Sequence, residues 1–255
     1  GQKLEVIDEA LDRDTFMTAG VAEDDRPRQP IRSYVLRGGR ITRAQRRALD
    51  ELWPQWGLPF TPEPLDLDAA FGGYRPRVLE IGFGDGATLI ELARMRPDTD
   101  FLGIEVHPPG IGHCLLAIEA GGLTNIRLIA HDAVEVLEQQ LTPGSLDEVL
   151  LYFPDPWPKK RHHKRRIVQP AFAALIADRL KSGGTFHLAT DWEPYALQML
   201  EVLNAEPRLA NAAAEKGDAT LYLAGKGLRP HYPSRFEQRG LRLGHKVFNL
   251  EYRRA

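Results

Sequence analysis

Val78-Leu79-Glu80-Ile81-Gly82-Phe83-Gly84-Asp85-Gly86-Ala87 is the stretch on which the fold turns. Residues 78–81, apolar but for Glu80, read as a short strand, and glycines at alternate positions follow it at once. Leu89, Leu92 and Ala93 then fall on one side of a helix that stops near Pro97. Strand, glycine loop and helix in that order open a βαβ unit. The alternation repeats downstream. Strands are expected at 101–105, 126–130, 147–153, 185–189 and 246–252. Helices are expected through about Ala120, over 134–141, around 167–180 and over 193–203. Gly121-Gly122 serves as a C-cap, and Pro143-Gly144 and Lys181-Ser182-Gly183-Gly184 serve as turns. Leu89 with Leu92, and Val168 with Phe172, Leu175 and Ile176, read as core stripes. Strands and helices alternating at this spacing predict an α/β, doubly wound, mostly parallel sheet. No internal repeat is visible.

Upstream of this unit the chain changes character. Residues 1–30 are rich in Asp, Glu, Arg and Pro, show little periodicity, and are expected to be disordered. Residues 31–255 are expected to form one domain with a basic extension over 31–70. Within that extension Arg32-Ser33-Tyr34 and Gly39-Arg40 mix cations with aromatic and small residues. Thr42 is placed to N-cap a helix through Leu52, which Trp53-Pro54 ends.

The whole chain of 255 residues is 43% hydrophobic and 27% charged, with a formal net charge of -2 and one cysteine, Cys114. A single cysteine excludes a disulfide within the chain and fits a reducing cytoplasm. No apolar run approaches the roughly 20 residues that span a bilayer, so no membrane partner is expected. No signal peptide is visible, and Gly1 in place of Met is expected of a trimmed or tagged chain. With a slightly negative total, nucleic-acid binding must come from a local patch.

The glycine loop alone is compatible with a plain turn, a dinucleotide or another adenosine-bearing ligand. The acids narrow the choice. Glu80 precedes the loop, Glu105 closes the second strand, and Asp132 follows the third. Ligands of open α/β sheets bind outside the carboxyl ends of the strands. Three carboxylates there would repel a pyrophosphate and attract the amine and sulfonium of S-adenosylmethionine. Glu105 is expected to take the ribose hydroxyls and Asp132 the adenine amine, with Gly82 and Gly84 letting the ligand approach the backbone.

Phe153-Pro154-Asp155-Pro156-Trp157-Pro158 follows the fourth strand, and Lys159 to Arg166 comes straight after it with six Lys or Arg in eight residues. Two prolines fix their own φ and restrict the residue before each. Asp155 is therefore held, either as a capping acid or as a group that orients a planar base. Trp157 is expected to pack rather than stack on substrate. Lys160, Arg161, Lys164, Arg165 and Arg166 are candidates for RNA phosphate contacts. His162 and His163 are expected to face RNA or solvent, since no further ligands sit at metal spacing; no metal is expected. His107 and His131 are expected to be local structural partners.

These pieces together resemble the bacterial tRNA (guanine-N7)-methyltransferase family. The resemblance rests on Glu80-Ile81-Gly82-Phe83-Gly84, Gly103-Ile104-Glu105-Val106-His107, His131-Asp132-Ala133 and Phe153-Pro154-Asp155-Pro156-Trp157. It extends through Lys164-Arg165-Arg166, Ala189-Thr190-Asp191-Trp192 and Phe236-Glu237-Gln238-Arg239-Gly240, so it covers roughly residues 31–253. It implies a Rossmann-like class I methyltransferase sheet with an antiparallel C-terminal strand, S-adenosyl-L-methionine as cofactor, and tRNA as partner. By the same resemblance Glu80, Glu105, Asp132 and Asp155 contact the cofactor or its surroundings, and Asp155 is catalytic. Lys159, Asp191, Ser234, Arg235, Phe236 and Glu237 are implied in substrate binding. Ser234 stands where the family more often has Thr. The stretch 205–230 has no assigned role, and either a monomer or a homodimer is compatible with the sequence. The remaining readings are a methyltransferase for another RNA or DNA base, a nucleotide-dependent oxidoreductase, and a non-catalytic RNA-binding module on the same fold.

Overall fold

Strands buried on both faces grow from the apolar runs between the glycine and proline punctuation. The computed structural model describes residues 39–212, the backbone of 223–224, and 247–255. The expectations for residues 1–30, for Arg32-Ser33-Tyr34 and for Ser234 to Glu237 therefore lie outside the described residues. Thr42 caps α1 (Arg43–Glu51) as expected, through a reciprocal pair in which Gln45 N–H donates to Thr42 Oγ1 at 3.1 Å and Thr42 N–H donates to the Gln45 side chain at 3.1 Å. Trp53-Pro54 ends that helix but starts another, α2 (Trp53–Trp56), because proline is well placed in a first turn.

The described elements then run β1 (Gly57–Leu58), α3 (Leu67–Phe71), β2 (Arg77–Ile81), α4 (Ala87–Met95), β3 (Asp100–Ile104), α5 (Pro108–Gly121), β4 (Ile126–Ile129), α6 (Ala133–Gln139) and β5 (Leu146–Tyr152). A 3-10 turn over Lys160–Arg165 leads to α7 (Pro170–Arg179), β6 (Leu180–Thr190), α8 (Glu193–Ala205), β7 (Leu209–Asn211), β8 (Leu223–Ala224) and β9 (Phe248–Arg254). They build a nine-stranded sheet in the order β1-β4-β3-β2-β5-β6-β9-β7, with β8 beside β9. All pairs from β1 to β6 are parallel, and β9 runs antiparallel to β6, β7 and β8. The chain winds from β2 outward through β3 and β4, then returns to the other side of β2 with β5. That reversal opens a crevice at the carboxyl end of β2.

Alternation along β2 sorts its side chains between two cores. Leu79 and Ile81 join α6, α7 and α8 on one face, whereas Val78 joins α1, α4 and α5 on the other. Both faces are covered, as a parallel sheet requires. Among the described residues no helix is long and apolar enough to cross a membrane.

Two expectations shift in detail. Lys181-Ser182-Gly183-Gly184 does not separate a helix from a strand; it lies inside β6 as a bulge, with the register stepping from Leu146↔Leu180 to Glu148↔Thr185. Gly183 takes φ 80° there. The helix placed around 167–180 starts only at Pro170, and Val168 is buried from the preceding loop. Asn125, just before β4, braces the connection between α4 and β3 from outside it. Its buried Nδ2 donates to the carbonyls of Ala93 at 3.1 Å, Arg96 at 3.1 Å and Thr99 at 2.8 Å, tying the end of α4 to the start of β3. Asn125→Ala should lower stability by about 2 kcal/mol or more, because it strips carbonyls of their buried donor; urea denaturation measures it.

Candidate active site

The acids read from the sequence all stand at the carboxyl edge of the sheet. Glu80 lies within β2, Glu105 follows β3, Asp132 caps α6 after β4, Asp155 follows β5, and Asp191 follows β6. The glycine loop sits above β2 because α5 gives it room. A Cβ on Gly110 would lie 2.3 Å from the Gly84 carbonyl oxygen, and one on Gly86 would lie 2.4 Å from Cys114 Sγ. Gly86 also needs φ 83° to start α4. By contrast, Cβ atoms at Gly82 and Gly84 would meet nothing within 4 Å, so the outer face of the loop is open. Gly110 did not enter the reading of the sequence, where a small residue inside a helix is its only signal, and Cys114 entered it only as the single cysteine.

Glu105 ties the loop down. One carboxylate oxygen accepts from Gly84 N–H at 2.8 Å, and the other accepts from Val106 N–H at 2.7 Å and His107 N–H at 3.3 Å. A carboxylate offers about four lone-pair sites, so with three in use about one is left for a ligand hydroxyl. Asp132 uses Oδ1 to accept from Glu135 N–H at 2.9 Å. Beside it, His131 stacks on Phe60 with ring centroids 3.6 Å apart and is paired with Glu135, in keeping with its expected structural role. Phe60 was not singled out from the sequence; it comes from the segment between β1 and α3.

The turn after β5 is strained. Phe153 and Trp157, on either side of Pro154-Asp155-Pro156, take φ 52° and 42°, the only positive values at non-glycine positions among the described residues. Each costs of order 1–3 kcal/mol and persists only where its surroundings over-determine it. Phe153 N–H donates to the Ala189 carbonyl at 2.8 Å, which joins this turn to the end of β6. There Thr190 Oγ1 accepts from Trp192 N–H at 3.2 Å and orders the turn that carries Asp191. Trp157 packs within its own loop, edge-on to His162 at 5.6 Å and beneath Arg165 at 5.0 Å.

The cationic run divides. Lys159, Lys160, Arg161 and Lys164 are exposed. His162 has its pKa lowered by desolvation and by the cations around it, Arg161 first. Arg166 departs from the expectation of a phosphate contact. It is buried, its Nε donates to the Pro156 carbonyl at 2.8 Å, and its guanidinium lies 4.9 Å from the Tyr195 ring centroid.

A family described as "Putative methyltransferase" matches residues 74–250. The chain is 55% identical over 229 residues to the tRNA (guanine-N(7)-)-methyltransferase of Paraburkholderia xenovorans (strain LB400), covering 89% of this chain and 84% of that protein. It is 51% identical over 247 residues to the protein of the same name from Xanthomonas campestris pv. campestris (strain 8004), covering 94% and 92%. The chain belongs to the tRNA (guanine-N7)-methyltransferase family. Its fold also resembles that of a 16S rRNA (adenine(1408)-N(1))-methyltransferase from Catenulisporales acidiphilia, with a TM-score of 0.50 at 15% identity, over 75% of this chain and 92% of that one. This likeness concerns the class I methyltransferase fold alone. The fold and the family imply a methyl donor.

Within this methyltransferase fold Glu80 is an acid held in an unfavourable setting. It is 3% exposed, and its Oε2 is buried without a hydrogen-bond partner among the described residues. Burial, then the nearby charges of Glu105 and Asp85, push its carboxyl up to about 8. An orphaned buried oxygen below an open loop face fits a ligand that brings a hydrogen-bond donor or a cation. Without such a ligand the folded chain keeps this proton until near pH 8, whereas the unfolded chain loses it near the ordinary 4.5. The folded state then binds more protons between those values, so stability falls as pH rises through that window, by up to about 1.4 kcal/mol per pH unit. Glu80→Gln should flatten this slope in ligand-free protein, read by urea denaturation across the window. Gly110→Ala should push the Gly84 carbonyl outward and weaken cofactor binding by about tenfold or more, a loss of at least 1.4 kcal/mol measurable by calorimetry.

Proposed function

We propose that this chain methylates N7 of a guanine in the variable loop of tRNA, with S-adenosyl-L-methionine as the donor, in the cytoplasm. The observation that carries the reading is the placement of Asp155. A strained turn holds it after β5, the strand paired with the one that leads into the acid-lined glycine loop, and ahead of a cationic run whose Lys159, Lys160, Arg161 and Lys164 are exposed. The open faces of Gly82 and Gly84 and the orphaned Glu80 oxygen are the features that fit the donor. Glu80, Glu105 and Asp132 would hold it, with Glu80 and Glu105 supplying negative charge near its cations.

When bound, the donor supplies an activated methyl, which the N7 lone pair takes as the carbon–sulfur bond breaks and its electron pair stays on sulfur. The N7 atom carries no proton, so no general base is needed. Asp155 is then a positioner. Its carboxylate can accept from guanine N1 and N2 and stabilise the positive charge that arrives on the ring. Asp191, from the neighbouring loop, is suited to the same work. The rest of the rate comes from alignment, for which effective molarities of order 10⁵ M and more are attainable. Lys159, Lys160, Arg161, Lys164 and Arg165 would hold phosphates. The deep, narrow major groove of an RNA helix hides N7, which favours a target outside a regular stem.

Unmodified tRNA incubated with labelled cofactor should gain label and become cleavable at N7-methylguanosine; label without that cleavage would overturn the assignment. Asp155→Ala should lower kcat by about 10²-fold or more while cofactor affinity changes little. Single-turnover rates near those of the unsubstituted enzyme would remove Asp155 from the catalytic role.

A further inference from the structure

Arg166 closes the cationic run in sequence but not in space. The residue is 3% exposed, so it presents no guanidinium to an incoming strand. Nε is spent on the Pro156 carbonyl, the last residue before Trp157. The guanidinium lies over Tyr195, a ring with no exposure near the start of α8. Tyr195 is itself anchored, because its hydroxyl accepts from Val168 N–H at 3.3 Å. Gln169 adds a second tie by donating to the carbonyls of His163 at 3.2 Å and Arg166 at 3.0 Å. These contacts connect the turn after β5 to the helix that follows Asp191.

The turn needs such a brace. Phe153 and Trp157 both hold left-handed backbone that non-glycine residues avoid. Its leading end is fixed by Phe153 N–H on Ala189, and its trailing end by the Arg166 contact with Pro156. Asp155 lies between the two anchors. It is also close enough to Tyr195 for its charge to act on that hydroxyl, whose pKa is raised by burial first and by Asp155 in addition. A planar fork that donates to a carbonyl while stacking on a ring is a task for arginine, which lysine does not reproduce.

We infer that Arg166 is a positioning residue, which holds the Pro154-Asp155-Pro156 turn in its strained shape by joining Pro156 to Tyr195, and is not one of the phosphate ligands. Its effect on catalysis rests on the function proposed above; its effect on the turn does not.

Two variants separate the possibilities. Arg166→Lys keeps the charge and loses the fork, and Arg166→Met keeps an unbranched chain and loses both. Both should lower kcat by about 10²-fold, the scale of a small misplacement of a reacting group. The KM for tRNA and the cofactor Kd should change little, and lysine should not rescue. The slope of log tRNA affinity against log salt should be unchanged in both, while Lys160→Gln, measured alongside, should lose about one unit. Hydrogen exchange gives a readout that needs no activity. The amides of Asp155 and Trp157 should exchange faster in both variants, with the β5 amides as protected as before. Unaltered exchange at Asp155 and Trp157 would overturn the brace. Loosening of β5 to the same degree would reduce Arg166 to a general stabiliser. A salt slope lowered by about one unit in Arg166→Met with kcat retained would return it to the phosphate ligands. If the unsubstituted enzyme makes no N7-methylguanosine, the functional reading fails, and the exchange data still decide whether Arg166 holds the turn.

Discussion

β2 is hydrogen-bonded to β3 along one edge and to β5 along the other, and the site depends on that pairing. The chain must leave β2, travel outward to β4 and come back across it to β5. The loops at the carboxyl ends diverge where it reverses, and the gap between them is where a ligand can enter. Glu80 and the glycine loop border that gap from β2, Glu105 from β3 and Asp155 from β5. Glu105 is oriented by the N–H groups of Gly84, Val106 and His107, and Glu80 is buried beneath the loop.

Those contacts give two sides of the site different mechanical characters. On the β2 side, space is the constraint. The absence of a Cβ at Gly110 lets the Gly84 carbonyl settle against α5, and Glu105 ties the loop back through its amides. Glu80 lies below, sealed from water, so its charge is costly until a cation or donor arrives. On the β5 side, strain is the constraint. Two left-handed residues flank Asp155, and bonds from β6 and Arg166 oppose their relaxation. An open cradle suits a ligand that must come and go, and a braced acid suits a group that must not move during transfer.

Much of this was legible from residue patterns. The strands β2 to β6 and the helices between them fall within a few residues of where apolar runs, prolines and glycines place them. Thr42 and Gly122 cap as expected, the latter with φ 60°. The short strands were not legible. β1 is two residues long and becomes a strand only because β4 offers it an unpaired edge, which no periodicity within two residues can signal. Lys181-Ser182-Gly183-Gly184 has the composition of a turn, yet the ladder with β5 absorbs it as a bulge in β6.

The candidate acids were legible for a chemical reason: a carboxylate at the end of a buried strand has few structural uses, so its position alone is informative. The sequence by itself determined the doubly wound order and the residue types at the carboxyl edge, because both follow from short-range periodicity and turn chemistry. Only the tertiary structure decided which members of a dense charge run face water. Arg165 and Arg166 are neighbours with the same side chain, yet Arg165 lies over Trp157 and Arg166 is drawn inward onto Tyr195, which reaches it from a helix beyond the next strand. Local composition cannot carry that distinction, since burial is set by what packs from elsewhere in the chain.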